Sequence, residues 1–213
     1  MKGRPQVKIC GITRSEDALV AARLGADLLG LNFYPGSSRF VTESRAREIT
    51  SALRRERDNC LLVGVFVDHP VGEIERIREV VGLDLVQLHG EYGGQDMERL
   101  GEGLIAVVRP RGRLADATEL NCRNSWALLV DQYDPQVAGG TGRSWEKNRL
   151  AELGRVLAGE RWFLAGGITA GNALEMIRAS GAWGIDICSG VEERPGRKSA
   201  TEMERLFAQI ESL

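Results

Sequence analysis

The sequence predicts an α/β chain folded as a single (β/α)8 barrel domain, residues 1–213, with eight parallel strands. Three observations carry that prediction. Short apolar runs alternate eight times with longer amphipathic or charged stretches. The alternation is even, since 213 residues over eight units is about 27 per unit, close to the ~30 of a strand–helix–strand element. The apolar runs also stop at polar or glycine-rich loops, and barrels collect their chemistry at the carboxyl ends of their strands.

The elements follow in order. Residues 7–10 read as the first strand. Residues 15–24 read as a helix capped by Ser15, with Glu16 and Asp17 in the first turn, where they complement the helix dipole. Gly25 ends it. Residues 28–33 form the second strand, and Thr42 caps a charged helix over 43–57. Residues 60–67 are continuously apolar, the mark of a strand covered on both faces. The pattern then repeats: helix 71–81, strand 85–88, helix 95–100, strand 104–108, helix 114–120, strand 126–130, helix 146–157, strand 162–165, helix 170–180, strand 184–187 and helix 200–210. A doubly wound open sheet is the alternative. It usually has fewer strands and a switch point, and the even spacing argues against it.

Composition narrows the function. Hydrophobic residues make up 43% and charged residues 27% of the chain, as in ordinary globular proteins. A formal charge of −2 gives no electrostatic reason to expect nucleic acid or an anionic membrane as partner. Four scattered cysteines, Cys10, Cys60, Cys122 and Cys188, form no CxxC pair and fit free thiols in a reducing cytoplasm. No signal-peptide region follows Met1, and no apolar run approaches the ~18 residues of a membrane span.

Cys10 ends the first strand and precedes Gly11; Asp131 ends the sixth. A free cysteine is most often a packing residue, and a loop carboxylate is often a cap. At strand ends of one barrel, though, a thiol and a carboxylate suggest a base and an acid facing one substrate. Asp186 lies within the eighth strand and must point into the barrel mouth or find a partner, because an unpaired buried carboxylate is costly. Arg39, in the loop after strand two, is placed to reach a substrate carboxylate with its fork. His89 ends strand four and lines the site. Cys188, past strand eight, lies on the same face, whereas Cys60 starts a strand at the opposite face and is assigned to packing. His69, before Pro70, serves a turn. Neither histidine joins a carboxylate cluster with ligand spacing, so no metal is expected.

Gly166-Gly167-Ile168-Thr169 follows strand seven and Ser189-Gly190-Val191-Glu192 follows strand eight. Barrels often hold phosphate with these two loops and a short extra helix, and glycine lets backbone N–H groups approach closely. A phosphorylated small molecule is the expected ligand. Gly139-Gly140-Thr141-Gly142-Arg143-Ser144 lacks the lysine and first glycine of a P-loop and reads as a mobile loop over the mouth.

These segments together resemble the phosphoribosylanthranilate isomerase family of tryptophan biosynthesis. The resemblance rests on Lys8-Ile9-Cys10-Gly11-Ile12-Thr13, the loop from Phe33-Tyr34-Pro35 to Arg39, Val63-Gly64-Val65-Phe66-Val67, Val86-Gln87-Leu88-His89-Gly90, Leu129-Val130-Asp131, the 139–142 glycines, the 164–169 run and Ser189-Gly190-Val191-Glu192 with Pro195-Gly196. It implies a cofactor-free barrel, monomeric or homodimeric, that rearranges an aminoaldose to an aminoketose. It implies Cys10 as general base, Asp131 as general acid, Arg39 and His89 at the anthranilate, and Gly166, Gly167, Ser189 and Gly190 at the phosphate. Three departures stand out: Ser38 where the family has proline, Arg143-Ser144-Trp145-Glu146 where it has a Phe-Asp-Trp stretch, and Cys188 where it has serine. Rival readings are a metal-dependent epimerase, which lacks its ligands here, the two-aspartate isomerase of histidine synthesis, and a silent phosphate-binding barrel.

Overall fold

The computed structural model describes residues 4–56, 59–110, 125–132 and 145–212. Eight strands close into an all-parallel barrel: β1 (Gln6–Ile9), β2 (Leu28–Asn32), β3 (Leu61–Val67), β4 (Leu85–His89), β5 (Leu104–Val108), β6 (Ala127–Val130), β7 (Trp162–Leu164) and β8 (Gly184–Ile187). Each pairs with the next, and β1 pairs with β8 to close the ring. Helices α1 (Ser15–Arg23), α2 (Glu43–Arg55), α3 (Val71–Val81), α4 (Gly94–Leu100), α5 (Lys147–Val156), α6 (Ala173–Ser180) and α7 (Ala200–Ile210) connect them. The helix expected over 114–120, Cys122 and the 139–144 loop lie outside the described residues.

Element boundaries agree with the sequence reading to within a residue or two, with two informative differences. Ser15 is the first helical residue of α1, not its cap; Arg14 holds the cap position, in extended conformation and without a side-chain cap bond. The acidic pair Glu16 and Asp17 remains in the first turn and meets the helix dipole there. Helix α6 starts at Ala173 rather than at 170, because Asn172 Oδ1 accepts from the backbone N–H of Thr169 and its Nδ2 donates to the Gly167 carbonyl. Those two bonds hold 167–172 as a tight turn. Thr42 does cap α2, accepting from the Arg45 N–H at 3.2 Å. A two-stranded antiparallel hairpin, β9 (Glu192–Arg194) and β10 (Arg197–Lys198), stands between β8 and α7 in place of an extra helix.

The period of two along each strand sorts side chains between two cores. Alternate residues point outward and pack under the helices: Val7, Ile9, Leu29, Leu31, Leu62, Phe66, Val86, Leu88, Val130 and Ile185 are all at most 5% exposed. Their neighbours point inward. At the amino-terminal end of the barrel these are Leu28, Val63, Leu85, Ile105, Ala127 and Phe163, a separate apolar cluster. Trp126 and Trp183 close it from below, with ring centroids 5.5 Å apart and nearly perpendicular. One register step higher Lys8, Gln87 and Asp186 join the inward positions, and that step forms the floor of the mouth.

Helices α5 and α6 approach so closely that a Cβ at Gly154 would lie 2.1 Å from the Ser180 carbonyl oxygen. Helix propensity alone favours alanine over glycine there by about 1 kcal/mol. The clash is with backbone and outweighs it. Gly154→Ala is expected to lower unfolding stability by about 1–3 kcal/mol, read as a lower denaturant midpoint; an unchanged or raised midpoint would contradict this packing.

Candidate active site

The site is built from the inward positions at the carboxyl ends of the strands. Lys8 and Cys10 are two residues apart on β1 and its exit, so they share the interior face. Lys8 pairs in register with Asp186 across the β1–β8 seam, and its Nζ lies 2.8 Å from Asp186 Oδ1. Its side chain is fully buried. Burial works to strip its proton, but the charge of Asp186 and that of Cys10 more than offset this and hold it an ammonium. A Cβ built on Gly30 would stand 2.8 Å from Cys10 Sγ and 3.2 Å from Lys8 Nζ. Glycine at that position leaves the space into which both groups project.

On the other side of Cys10 stands Cys188, the first residue past β8. The backbone N–H of Cys10 donates to the Ile187 carbonyl at 2.8 Å, so the two cysteines leave the barrel side by side. Above them Arg39 is locked by Glu192, with Nε 2.9 Å from Oε1 and Nη2 2.7 Å from Oε2. Lys198 Nζ donates to the same Glu192 Oε1 at 2.9 Å and to the Cys188 carbonyl at 3.0 Å. Burial works to raise the Glu192 carboxyl, but the hydrogen bonds of Arg39 and the charge of Lys198 hold it below its ordinary value. Lys8, Arg39 and Lys198 thus face Asp186 and Glu192, three cations against two carboxylates. These neighbouring cations favour a thiolate beside them. The Cys10 thiol is lowered to about 7, first by the hydrogen bond from Cys188, against burial, and then by Lys8 and Lys198. That same hydrogen bond, with burial, pushes Cys188 well up. Lys8, on the same face of β1, favours the thiolate at Cys10.

Across the mouth, Asp131 follows β6, and Arg109 follows β5 and leans over it. Arg109 Nε donates to Asp131 Oδ2 at 3.2 Å, and Nη2 donates to His89 Nδ1 at 2.9 Å. Burial raises the Asp131 carboxyl above its ordinary value, with the charge and hydrogen bond of Arg109 opposing. His89 falls to about 3 through burial first, then the charges of Arg109 and Lys8. It is a neutral imidazole. Because Arg109 donates to Nδ1, the ring proton sits on Nε2, 2.7 Å from the Gln87 amide nitrogen. Gln87 Oε1 is buried without a partner. Turning the amide by 180° gives Nε2–H its acceptor, and we read the pair that way.

The glycine loops also converge. Gly190 bridges Thr169, and a Cβ there would stand 2.0 Å from the Ile168 carbonyl oxygen. Gly166, at φ +88°, is held tight against Gln132 and lies 3.3 Å from Asp131 Oδ1 by the same measure. Gly167 also has positive φ, and Ser189 is exposed at the rim. Trp145 reaches back to donate its indole N–H to the Ala165 carbonyl at 2.8 Å. Among the described residues no group of three or more His, Cys, Asp or Glu side chains is placed to share a metal ion, and no helix is long and apolar enough to cross a membrane.

Among the described residues, Cys10, Arg39, His89, Asp131, Asp186 and both glycine loops lie at one end of the barrel. Lys8, Gln87 and Glu192 stand in segments the sequence analysis quotes but receive no role there, and Arg109 and Lys198 stand in none of them. Counting back two residues from Cys10 and His89 reaches Lys8 and Gln87; Glu192 and Lys198 have no such signal, because a hairpin brings them in.

A family model for N-(5'-phosphoribosyl)anthranilate (PRA) isomerase matches residues 7–209. The chain belongs to the N-(5'-phosphoribosyl)anthranilate isomerase family. The isomerase of that name from Chlorobaculum parvum is 39% identical over 214 residues, covering 96% of this chain and 94% of the relative. The crystal structure of the Thermus thermophilus phosphoribosyl anthranilate isomerase superposes with a TM-score of 0.82 at 37% identity, covering 97% and 98% of the two chains. A further family member, crystallised with reduced 1-(o-carboxyphenylamino)-1-deoxyribulose 5-phosphate, superposes with a TM-score of 0.81 at 29% identity, covering 98% of this chain and all of that one.

Two measurements follow from this electrostatic arrangement. Lys8→Met is expected to move the pH midpoint of Cys10 alkylation by iodoacetamide upward by about one unit or more, as loss of an adjacent cation does; an unmoved midpoint in a folded variant would remove Lys8 from this role. Separately, unfolded His89 takes a proton below its ordinary 6.5, which the folded ring refuses down to about 3. Stability at His89 is therefore present above pH 6.5 and lost as the pH falls from 6.5 toward 3. Replacing His89 by Gln should flatten the acid limb of a Tm-versus-pH curve.

Proposed function

We propose that this chain converts N-(5'-phosphoribosyl)anthranilate to 1-(2-carboxyphenylamino)-1-deoxyribulose 5-phosphate in tryptophan biosynthesis. The reaction is an Amadori rearrangement, an aldose–ketose isomerisation within one molecule. The family membership supports the substrate. The observation that carries the mechanism is the pairing of a lowered Cys10 thiol with a raised Asp131 carboxyl on one barrel mouth. Two groups with environments that push their proton affinities in opposite senses are suited to base and acid roles.

Asp131 donates its proton to the furanose ring oxygen as the C1–O bond breaks, and the anthranilate nitrogen supplies the electron pair for a Schiff base. Cys10 thiolate then takes the C2 proton, and that electron pair moves to C1 and nitrogen to give an enolamine. Tautomerisation to the C2 ketone ends the sequence. Arg109 restrains the Asp131 carboxylate that proton donation leaves behind. Arg39 presents its remaining Nη1 edge, which Glu192 does not use, to the anthranilate carboxylate. Neutral His89 has both ring nitrogens engaged by protein groups, so it offers the ligand its ring face. The Gly166-Gly167 and Ser189-Gly190 loops, joined at Gly190, are the phosphate end.

Anthranilate fluorescence of the substrate should decay on turnover with EDTA present. Cys10→Ser and Asp131→Asn should each lower kcat by about 10²–10⁴-fold, with smaller changes in KM. A Cys10→Ser enzyme of near-normal kcat, or an Asp131→Asn effect confined to KM, would reassign that residue.

A further inference from the structure

The proposed reaction uses one thiol, yet two stand together at the β1–β8 seam. We propose that Cys10 and Cys188 form a site of reversible oxidative modification, at which a hydroperoxide joins them as a disulfide across the barrel seam.

The geometry comes from the strand register. Ile9 and Ile187 are partners, and the Cys10 N–H donates to the Ile187 carbonyl, so Cys10 and Cys188 occupy the next step of the same parallel pair. Neighbouring strands lie about 4.8 Å apart, within the ~4.4–6.8 Å that a disulfide needs between Cα atoms. Period two turns both side chains inward, and each thiol is close enough to shift the other's proton affinity. A Cβ on Gly11 would come within 3.0 Å of Cys188 Sγ, so Gly11 leaves that sulfur room beside Cys10. Both residues are half-buried at the rim of the barrel. Cys60 precedes β3 at the other end of the barrel.

The surrounding charges suit the chemistry. Lys8, Arg39 and Lys198 face the pair, with Asp186 and Glu192 as the opposing carboxylates. Cys10 thiolate attacks the peroxide, whose O–O bond breaks, leaving a sulfenic acid on Cys10 and hydroxide. Cys188 then attacks that sulfur, forming the S–S bond and expelling the sulfenic oxygen, which leaves as water with the Cys188 proton. Two thiols and one hydroperoxide (HOOH) give one disulfide and two waters, so the sulfurs lose the two electrons that the peroxide gains. Lys198 Nζ, 3.9 Å from Cys188 Sγ, supports the charge that develops on this second sulfur. The serine of the related motif has no such chemistry; this chain carries cysteine there.

The test is hydrogen peroxide treatment of the full chain, read by intact mass and peptide mapping. The expected product is about 2 Da lighter, carries a peptide pair joining Cys10 to Cys188, loses at least ~10-fold in isomerase activity and recovers with dithiothreitol. The Cys60→Ser/Cys122→Ser double variant should behave the same way. Cys188→Ser should instead gain about 16 to 32 Da at Cys10 and stay unrecovered after prolonged exposure. Gain of oxygen on Cys10 without a joined peptide in the unsubstituted chain, or a joined peptide that contains Cys60 or Cys122, overturns the proposal. The mass readout is independent of the catalytic reading: a joined pair with activity retained would uphold the modification and remove Cys10 as base.

Discussion

The barrel closes on a charge. Lys8 and Asp186 are register partners where the first strand meets the last, and their ion pair lies inside the ring. A buried pair of this kind adds little net stability compared with an apolar pair of the same volume. Its effect is on register. A slip of one residue between β1 and β8 would turn the lysine into the layer under the helices, where Val7, Ile9 and Ile187 now pack. That layer is built of apolar side chains. The pair therefore makes the wrong closures expensive, and the correct closure brings Cys10 and Cys188 together one step above it.

The same interaction links fold and chemistry. Lys8 sits between the carboxylate that keeps it charged and the thiol it favours as a thiolate. Lys198 and Arg39 arrive from separate loops, yet Glu192 binds both. This one carboxylate, almost wholly buried, ties the loop after β2 to the hairpin after β8. Arg39 is thus held in place before any ligand arrives, which lowers the ordering cost of recognition.

The architecture was legible because its signals are local. Eight apolar runs and their spacing suffice for a barrel, and seven of the eight helices expected are described. The cap of α1 was misread because Ser15 has a cap's chemistry but Arg14 has the cap's backbone. Cys10 and Asp131 were legible as strand-end groups. Arg109, just past β5, shares that strand-end signal; Glu192 lacks it, since its importance lies in a contact 153 residues away in sequence. Such contacts have no period. Gly190 was read as a phosphate residue, and the structure adds a packing reason for it: no side chain fits beneath the Ile168 carbonyl.

The closed end of the barrel has an optical consequence. Trp126 and Trp183 lie edge to face, and Phe163 completes the aromatic set at 5.2 Å from Trp183. Indoles held at a fixed angle and such short range couple their electronic transitions, so their near-ultraviolet circular dichroism reports the rigidity of that end. Trp145, hydrogen-bonded at the rim, is spatially separate from them. The two ends of one barrel thus carry distinct chromophores, and loosening of the closed end can be distinguished from events at the mouth without any added label.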